Sequence, residues 1–214
     1  MTKYKKKLRY NSTWGDIKME KRLIDQIKFI VEVDKAKEIM RRTYVTNSER
    51  FENDAEHSWH LALMAPLLKE YIKEDVNIER VINMVIIHDL VEIDAGDTFC
   101  YDKEGNLTKR EREVKAADRI FNILPKDQAK IIYDLWNEFE EMKTIESRYA
   151  ACLDRIQPIL NNIATGGRAW KENNTTKSMV LGRMSVIKET SEELWELILA
   201  IINEGVKIGA LKDE

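Results

Sequence analysis

The stretch IIHDLVEIDAGD, residues 86–97, sets one histidine and four acidic residues directly behind two isoleucines. The whole chain has three histidines, and His88 sits against Asp89 at the end of an apolar run. Read with the residues before it, IERVINMVIIHDLVEI predicts a helix capped by Asn77, with Val81, Val85, His88 and Glu92 on one stripe and Gly96 as its stop. A histidine and a glutamate on an apolar stripe make this helix the key to the chain.

Working outward, the same 3.6-residue rhythm recurs almost everywhere. Apolar residues at 23, 24, 27, 30, 31, 39 and 40 predict a first helix through Arg42. A polar loop then leads to Asn53 and Asp54, either of which can cap AEHSWHLALMAPLLKEYI, where His57, Leu61, Met64 and Leu68 align and Pro66 predicts a kink or a restart. FCYDKEGNLTKR reads as a loop, Thr108 as the start of a charged helix to about 122, and Pro125 as the opening of the next. Further helices are expected over 145–164 and 176–204, broken by Gly166-Gly167. No strand alternation is sustained. The expectation is an all-α, single-domain bundle of about seven helices.

Composition agrees: 43 % hydrophobic and 34 % charged residues, with only 8 Gly and 3 Pro, suit helices with charged outer faces. The net charge of −3 gives no electrostatic footprint for nucleic acid, and KYKKKLR at residues 3–9 reads as a solvated basic tail. Cys100 and Cys152 form no CxxC pair, which fits a reduced compartment. No window approaches the ~20 apolar residues that cross a bilayer, and the N-terminus carries no signal pattern. A cytoplasmic protein that engages neither nucleic acid nor membrane is expected.

A divalent cation needs nitrogen and carboxylate ligands gathered from separate elements. His57 and His88 lie on core-facing stripes, and Asp89 follows at once. Neighbouring helix residues point about 100° apart, so that pair can share an ion only at a helix edge facing a cavity. In YAACLDRIQPILNN, Asp154 is set among apolar residues, four before a proline that cannot bond its carbonyl. Each has an ordinary reading: a lone core histidine is usually just hydrogen-bonded, as His60 is read here, and Asp154 can pair with an arginine. The joint pattern favours a metal.

The order His57, His88-Asp89, Asp154, all on helices, resembles the HD-domain metal-dependent phosphohydrolases. AEHSWHLALMA, HDLVEIDAGD and LDRIQPILNN are each similar to segments of the branch that contains the bacterial 5′-deoxynucleotidases, over roughly residues 35–165. The resemblance implies one divalent ion (Mn, Co, Fe, Ni, Zn or Mg) on His57, His88, Asp89 and Asp154, in a domain over 19–210 that follows a polar basic segment over 1–18. It implies hydrolysis of a phosphorylated small molecule, a (deoxy)nucleoside 5′-monophosphate, by a metal-activated water. Glu92 takes the general acid or base role, and Asp97 matches a carboxylate that supports catalysis or contacts the sugar. Arg42 matches the spacing of an arginine that holds the 5′-phosphate, although an arginine at a helix end often only complements the dipole. Where a tryptophan follows that arginine in the family, this chain has Thr43, which bears on base and sugar selection. Trp59 and Trp170 are offered for stacking or for the core, and the amphipathic helices over 108–142 and 176–204 present faces for the homodimer the resemblance implies. The competing readings are an alarmone-type pyrophosphohydrolase and a non-catalytic, metal-stabilised helical scaffold.

Overall fold

A computed structural model describes residues 20–214; the basic N-terminal segment 1–18 lies outside the described residues. The chain is helical as expected, with more and shorter helices than seven. Helix α1 spans Lys21–Val33, and a 3₁₀ turn covers Asp34–Glu38. There the first expected helix stops. Arg41 and Arg42 do not end it: they lie on strand β1, Met40–Tyr44, which pairs antiparallel with β2, Phe51–Asn53. The pairing joins Met40 to Asn53 and Tyr44 to Phe51 with an irregularity between, and the Tyr44 and Phe51 rings pack at 4.3 Å. A hairpin of five and three residues is too short to show a period-two pattern, which is why the sequence hid it.

Helix α2, Asp54–Leu68, begins with a capping box: Asn53 accepts from the Glu56 backbone N–H, and the Glu56 side chain accepts from that of Asn53. Pro66 falls in its last turn, and a 3₁₀ turn at Lys69–Tyr71 completes the stop. Asn77 caps α3, Ile78–Ile87, which ends six residues earlier than the sequence suggests. Residues 88–91 form a turn with i to i+3 bonds, Leu90 to Ile87 and Glu92 to Asp89, before one more helical turn, α4, Glu92–Ala95. Gly96, at φ 75°, closes it in a conformation that side chains avoid.

Asp102, not Thr108, caps the next helix, so α5 runs over Lys103–Phe121 and takes in the expected loop. Helix α6 covers Lys126–Glu141, after Pro125, and α7 covers Ile145–Ala164 without a break at Pro158. Four helices complete the chain: α8 Arg168–Glu172, α9 Lys177–Arg183, α10 Ser185–Thr190 and α11 Glu192–Lys207. The single helix expected over 176–204 is thus three, interrupted at Met184 and again at Ser191, whose extended backbone lets its hydroxyl cap α11.

The centre is α7, with α2, α3, α6, α10 and α11 packed around it. Trp136, Tyr149, Phe121, Leu153 and Ile156 are among its fully buried side chains. Among the described residues, no helix is long and apolar enough to cross a membrane. Cys100 and Cys152 are both free thiols.

Candidate metal centre

Three elements deliver the expected ligands to one point. His57 stands in the first turns of α2, His88 caps the C-terminal end of α3, Asp89 begins the turn beyond it, and Asp154 lies midway along α7. The His57 Nδ1–H donates to Gln157 Oε1 at 2.9 Å, and the His88 Nδ1–H donates to the Val85 carbonyl at 2.9 Å. In the neutral ring each bond makes Nδ1 the protonated nitrogen and leaves the Nε2 lone pair free to ligate an ion, whereas a proton on Nε2 would bridge to the carboxylates instead. Those lone pairs face carboxylates. His57 Nε2 is 3.1 Å from Asp154 Oδ1 and 4.0 Å from Asp89 Oδ2, and His88 Nε2 is 3.0 Å from Asp89 Oδ2 and 3.7 Å from Asp154 Oδ1.

Four acceptors converging in a buried site need a cation between them. Adjacent ligands on an ion with bonds of about 2.1 Å stand about 3 Å apart when they meet at right angles, close to the shorter separations here. His88 Nε2 is buried without a hydrogen-bond partner among the described residues, the vacancy in valence that a ligand atom shows. The donor set therefore fits a divalent ion, as His57, His88 and Asp154 also do by their mutual spacing. His88 and Asp89 meet at the end of α3, where the helix surface no longer separates neighbouring side chains.

The electrostatics follow from burial and crowding. Burial presses the His57 imidazole below its usual range, and the charge of Arg41 adds to this. For His88, burial works against the charged form, yet Asp89 and Asp154 outweigh it and hold the group well above its usual value. Burial likewise opposes the ionised forms of Asp89 and Asp154, but the imidazoles, and for Asp89 also Arg41, hold both carboxyls well below the usual range. Glu92 moves the other way. Burial, then the charges of Asp89 and Asp54, lift it well above an ordinary carboxylate.

Glu92 is 4 % exposed with Oε2 lacking a hydrogen-bond partner among the described residues, so it is no surface glutamate. Asp97, raised by burial, lines the same cleft. Asp94 is exposed and pairs with Arg119. Strand alternation sorts the two arginines: Arg41 turns inward, while Arg42 is exposed at the cleft rim with its guanidinium 5.0 Å over the Phe99 ring. Thr43 lines the cleft too. The cleft offers about 150 Å³ to the centre of a water-sized sphere, and Phe99, Tyr101 and Trp170 form part of its walls. Trp170 is 5 % exposed, whereas Trp59 is 66 % exposed on the surface and reaches neither core nor cleft. His60 stands aside, accepting from Gln157 Nε2 at 3.3 Å.

Sequence reasoning missed a ring of supporting groups. Gln157 also donates to Glu52 Oε2 at 2.9 Å, and Asn161 reaches the same oxygen at 3.4 Å. Glu52 is 2 % exposed and pushed up to about 7 by burial, against the pull of Arg41. The signal was present: Asp154, Gln157 and Asn161 recur at i, i+3 and i+7, a polar stripe on an otherwise apolar helix.

The HD-domain family model matches residues 33–195. The chain belongs to the HD-domain family. A solved structure from Magnetospirillum magnetotacticum MS-1, described as a "predicted metal-dependent phosphohydrolase", is 48 % identical with a TM-score of 0.86, covering 89 % of this chain and 96 % of that one. The human 5′-deoxynucleotidase HDDC2 is 30 % identical over 135 residues, 63 % of this chain and 65 % of the human protein. A Dictyostelium discoideum protein of the same name is 32 % identical over 140 residues, 63 % of this chain and 74 % of that protein. The match thus spans a little under two thirds of the human relative. The HD-domain resemblance read from three short motifs is borne out at the level of the family.

Proposed function

We propose that this HD-domain chain is a metal-dependent phosphohydrolase that removes phosphate from (deoxy)nucleoside 5′-monophosphates. The observation that carries the reading is the convergence of two imidazole Nε2 atoms and two carboxylates where His88, Asp89 and Asp154 line a cleft and His57 is buried behind them, with an acid of raised pKa beside them. A divalent ion (Mn, Co, Fe, Ni, Zn or Mg) held by His57, His88, Asp89 and Asp154 would lower the pKa of a water and polarise the phosphorus–oxygen bond.

The chain's own residues supply the rest. Hydrolysis breaks the bond between phosphorus and O5′, so the leaving oxygen must gain a proton and the attacking water must lose one. Glu92, whose hold on a proton is strengthened by burial and then by the charges of Asp89 and Asp54, is the side chain that would give a proton to O5′. Arg42, on the rim, would take the 5′-phosphate, and its planar fork suits phosphoryl oxygens. Asp97 offers a carboxylate to sugar hydroxyls, and Phe99, Tyr101 and Trp170 offer faces to a base. The relatives named 5′-deoxynucleotidase support the monophosphate class. A cytoplasmic homodimer is part of the same reading.

The test is phosphate release from a nucleotide panel by metal-stripped protein resupplied with single ions. The expected result is metal-dependent release from 5′-monophosphates. Pyrophosphate released from alarmones instead would move the chain to the pyrophosphohydrolases, and metal binding without turnover of any nucleotide would make it a scaffold.

A further inference from the structure

Beside the four ligands lies a second group of acids. Asp54, Asp89 and Glu92 each present a carboxylate oxygen, all within 4.8 Å of one another, and Asp89 belongs to both groups. Asp54 is 1 % exposed, and neither of its carboxylate oxygens has a hydrogen-bond partner among the described residues; Glu92 Oε2 is in the same state. Three carboxylates this close and this dry are the ligand set of a hard divalent cation.

A side chain already stands there. The Arg41 guanidinium is only 14 % exposed, with Nη1 at 2.6 Å from Asp89 Oδ2 and 3.5 Å from Asp54 Oδ1. Its Nε faces Glu52 Oε1 at 3.8 Å. The oxygen that Arg41 holds on Asp89 is the same Oδ2 that lies 3.0 Å from His88 Nε2. Arg41 therefore touches the ligand set at one atom and stands beside Asp54 and Glu52, with Glu92 acting on it only through its charge.

We propose that Arg41 is a resident second cation: it orients the Asp89 carboxylate toward the imidazoles and occupies the position where Asp54, Asp89 and Glu92 would otherwise gather a second divalent ion, so that the centre takes one ion and not two. Arg41 is a positioning residue that sets metal number. A fixed guanidinium gives the cluster a charge that neither dissociates nor depends on metal supply. This rests on the reading that His57, His88, Asp89 and Asp154 hold an ion.

The test counts manganese per chain by equilibrium dialysis of the full chain, with low-temperature electron paramagnetic resonance for exchange coupling between ions. The parent is expected to bind one ion, and Arg41→Met two, with a coupled signal. Arg41→Lys, which keeps the charge, and the double variant Arg41→Met with Asp54→Asn, which removes a ligand, are expected to return to one. A folded Arg41→Met that binds a single ion overturns the proposal, as does a second ion in Arg41→Lys or in the double variant. Two ions in the parent at saturating manganese also overturn it, and that measurement needs no variant to fold. A parent that binds none overturns instead the metal reading beneath it.

Discussion

Helix α7 is buried along most of its length, and beyond Leu153 it buries several polar side chains alongside the apolar Ile156 and Ile159. From Tyr149 to Leu153 the buried side chains are apolar or fully satisfied: the Tyr149 hydroxyl donates to the Ala65 carbonyl at 2.7 Å, and the Cys152 thiol, pushed up to about 11 by burial, points to the Val186 carbonyl. From Asp154 to Asn162 the same helix buries Gln157, Asn161 and Asn162, and its Asp154 carboxylate is aimed at two imidazoles. The first half holds the bundle together. The second half spends stability on polar groups: Asp154, Gln157 and Asn161 find partners on α2, β2 and the end of α3, while Asn162 donates to the Pro158 carbonyl and leaves its Oδ1 unmet among the described residues.

That division can be broken by experiment. Asp154→Ala is expected to abolish tight metal binding and lower phosphate release by about four orders of magnitude, because it removes a ligand shared by both imidazoles. Retained stoichiometric metal in that variant would erase the distinction between the halves. Glu92→Gln is expected to keep its metal and its melting temperature while kcat falls by about 10²–10⁴-fold, the usual worth of a proton donor. An unchanged kcat there would return Glu92 to a structural role.

Smaller effects sharpen the boundary. Gln157→Leu removes the acceptor of the His57 Nδ1–H and the donor to Glu52 together, and should weaken metal affinity by about 10–100-fold, measured by competition with a chelator. Tyr149→Phe, two turns away, should cost about 1 kcal/mol of unfolding free energy in denaturant and nothing in metal affinity or in kcat per folded molecule. A loss of metal in Tyr149→Phe would mean the apolar half also sets the site.

What the sequence made legible was what helices make legible. His57, His88 and Asp154 each sit where a 3.6-residue stripe meets the core, and Asn53 and Asn77 cap where their side-chain chemistry says they should. Short-range geometry was not legible. The arginine nearest the ligands is Arg41, because strand alternation turns it inward, and a five-residue strand carries too little pattern to announce itself against an apparently continuous helix. The helix through His88 was read six residues too long because its apolar stripe continues through a turn whose bonds are i to i+3. Ser191 breaks the last expected helix for a similar reason: a good cap inside a periodic run is visible only once the backbone has turned. The sequence offers Asp54 only as a possible helix cap and says nothing of Glu52, because acidic residues near a helix start usually serve the dipole.

Asn53 ends β2 and caps α2 at once, and the Asp54 backbone N–H bonds the Ile39 carbonyl at 3.1 Å just before β1. Arg41, Glu52, Asp54 and His57 are therefore carried by one short, locally closed segment whose ends are tied to each other. Such a segment opens as a unit. If it does, the centre loses its first imidazole, its buried guanidinium and two of its acids in a single event, and a bound ion protects all of them together. In hydrogen exchange, the amides of this hairpin and of the first turn of α2 would then share one protection level that rises in step with ion concentration, while the apolar half of α7 holds its own.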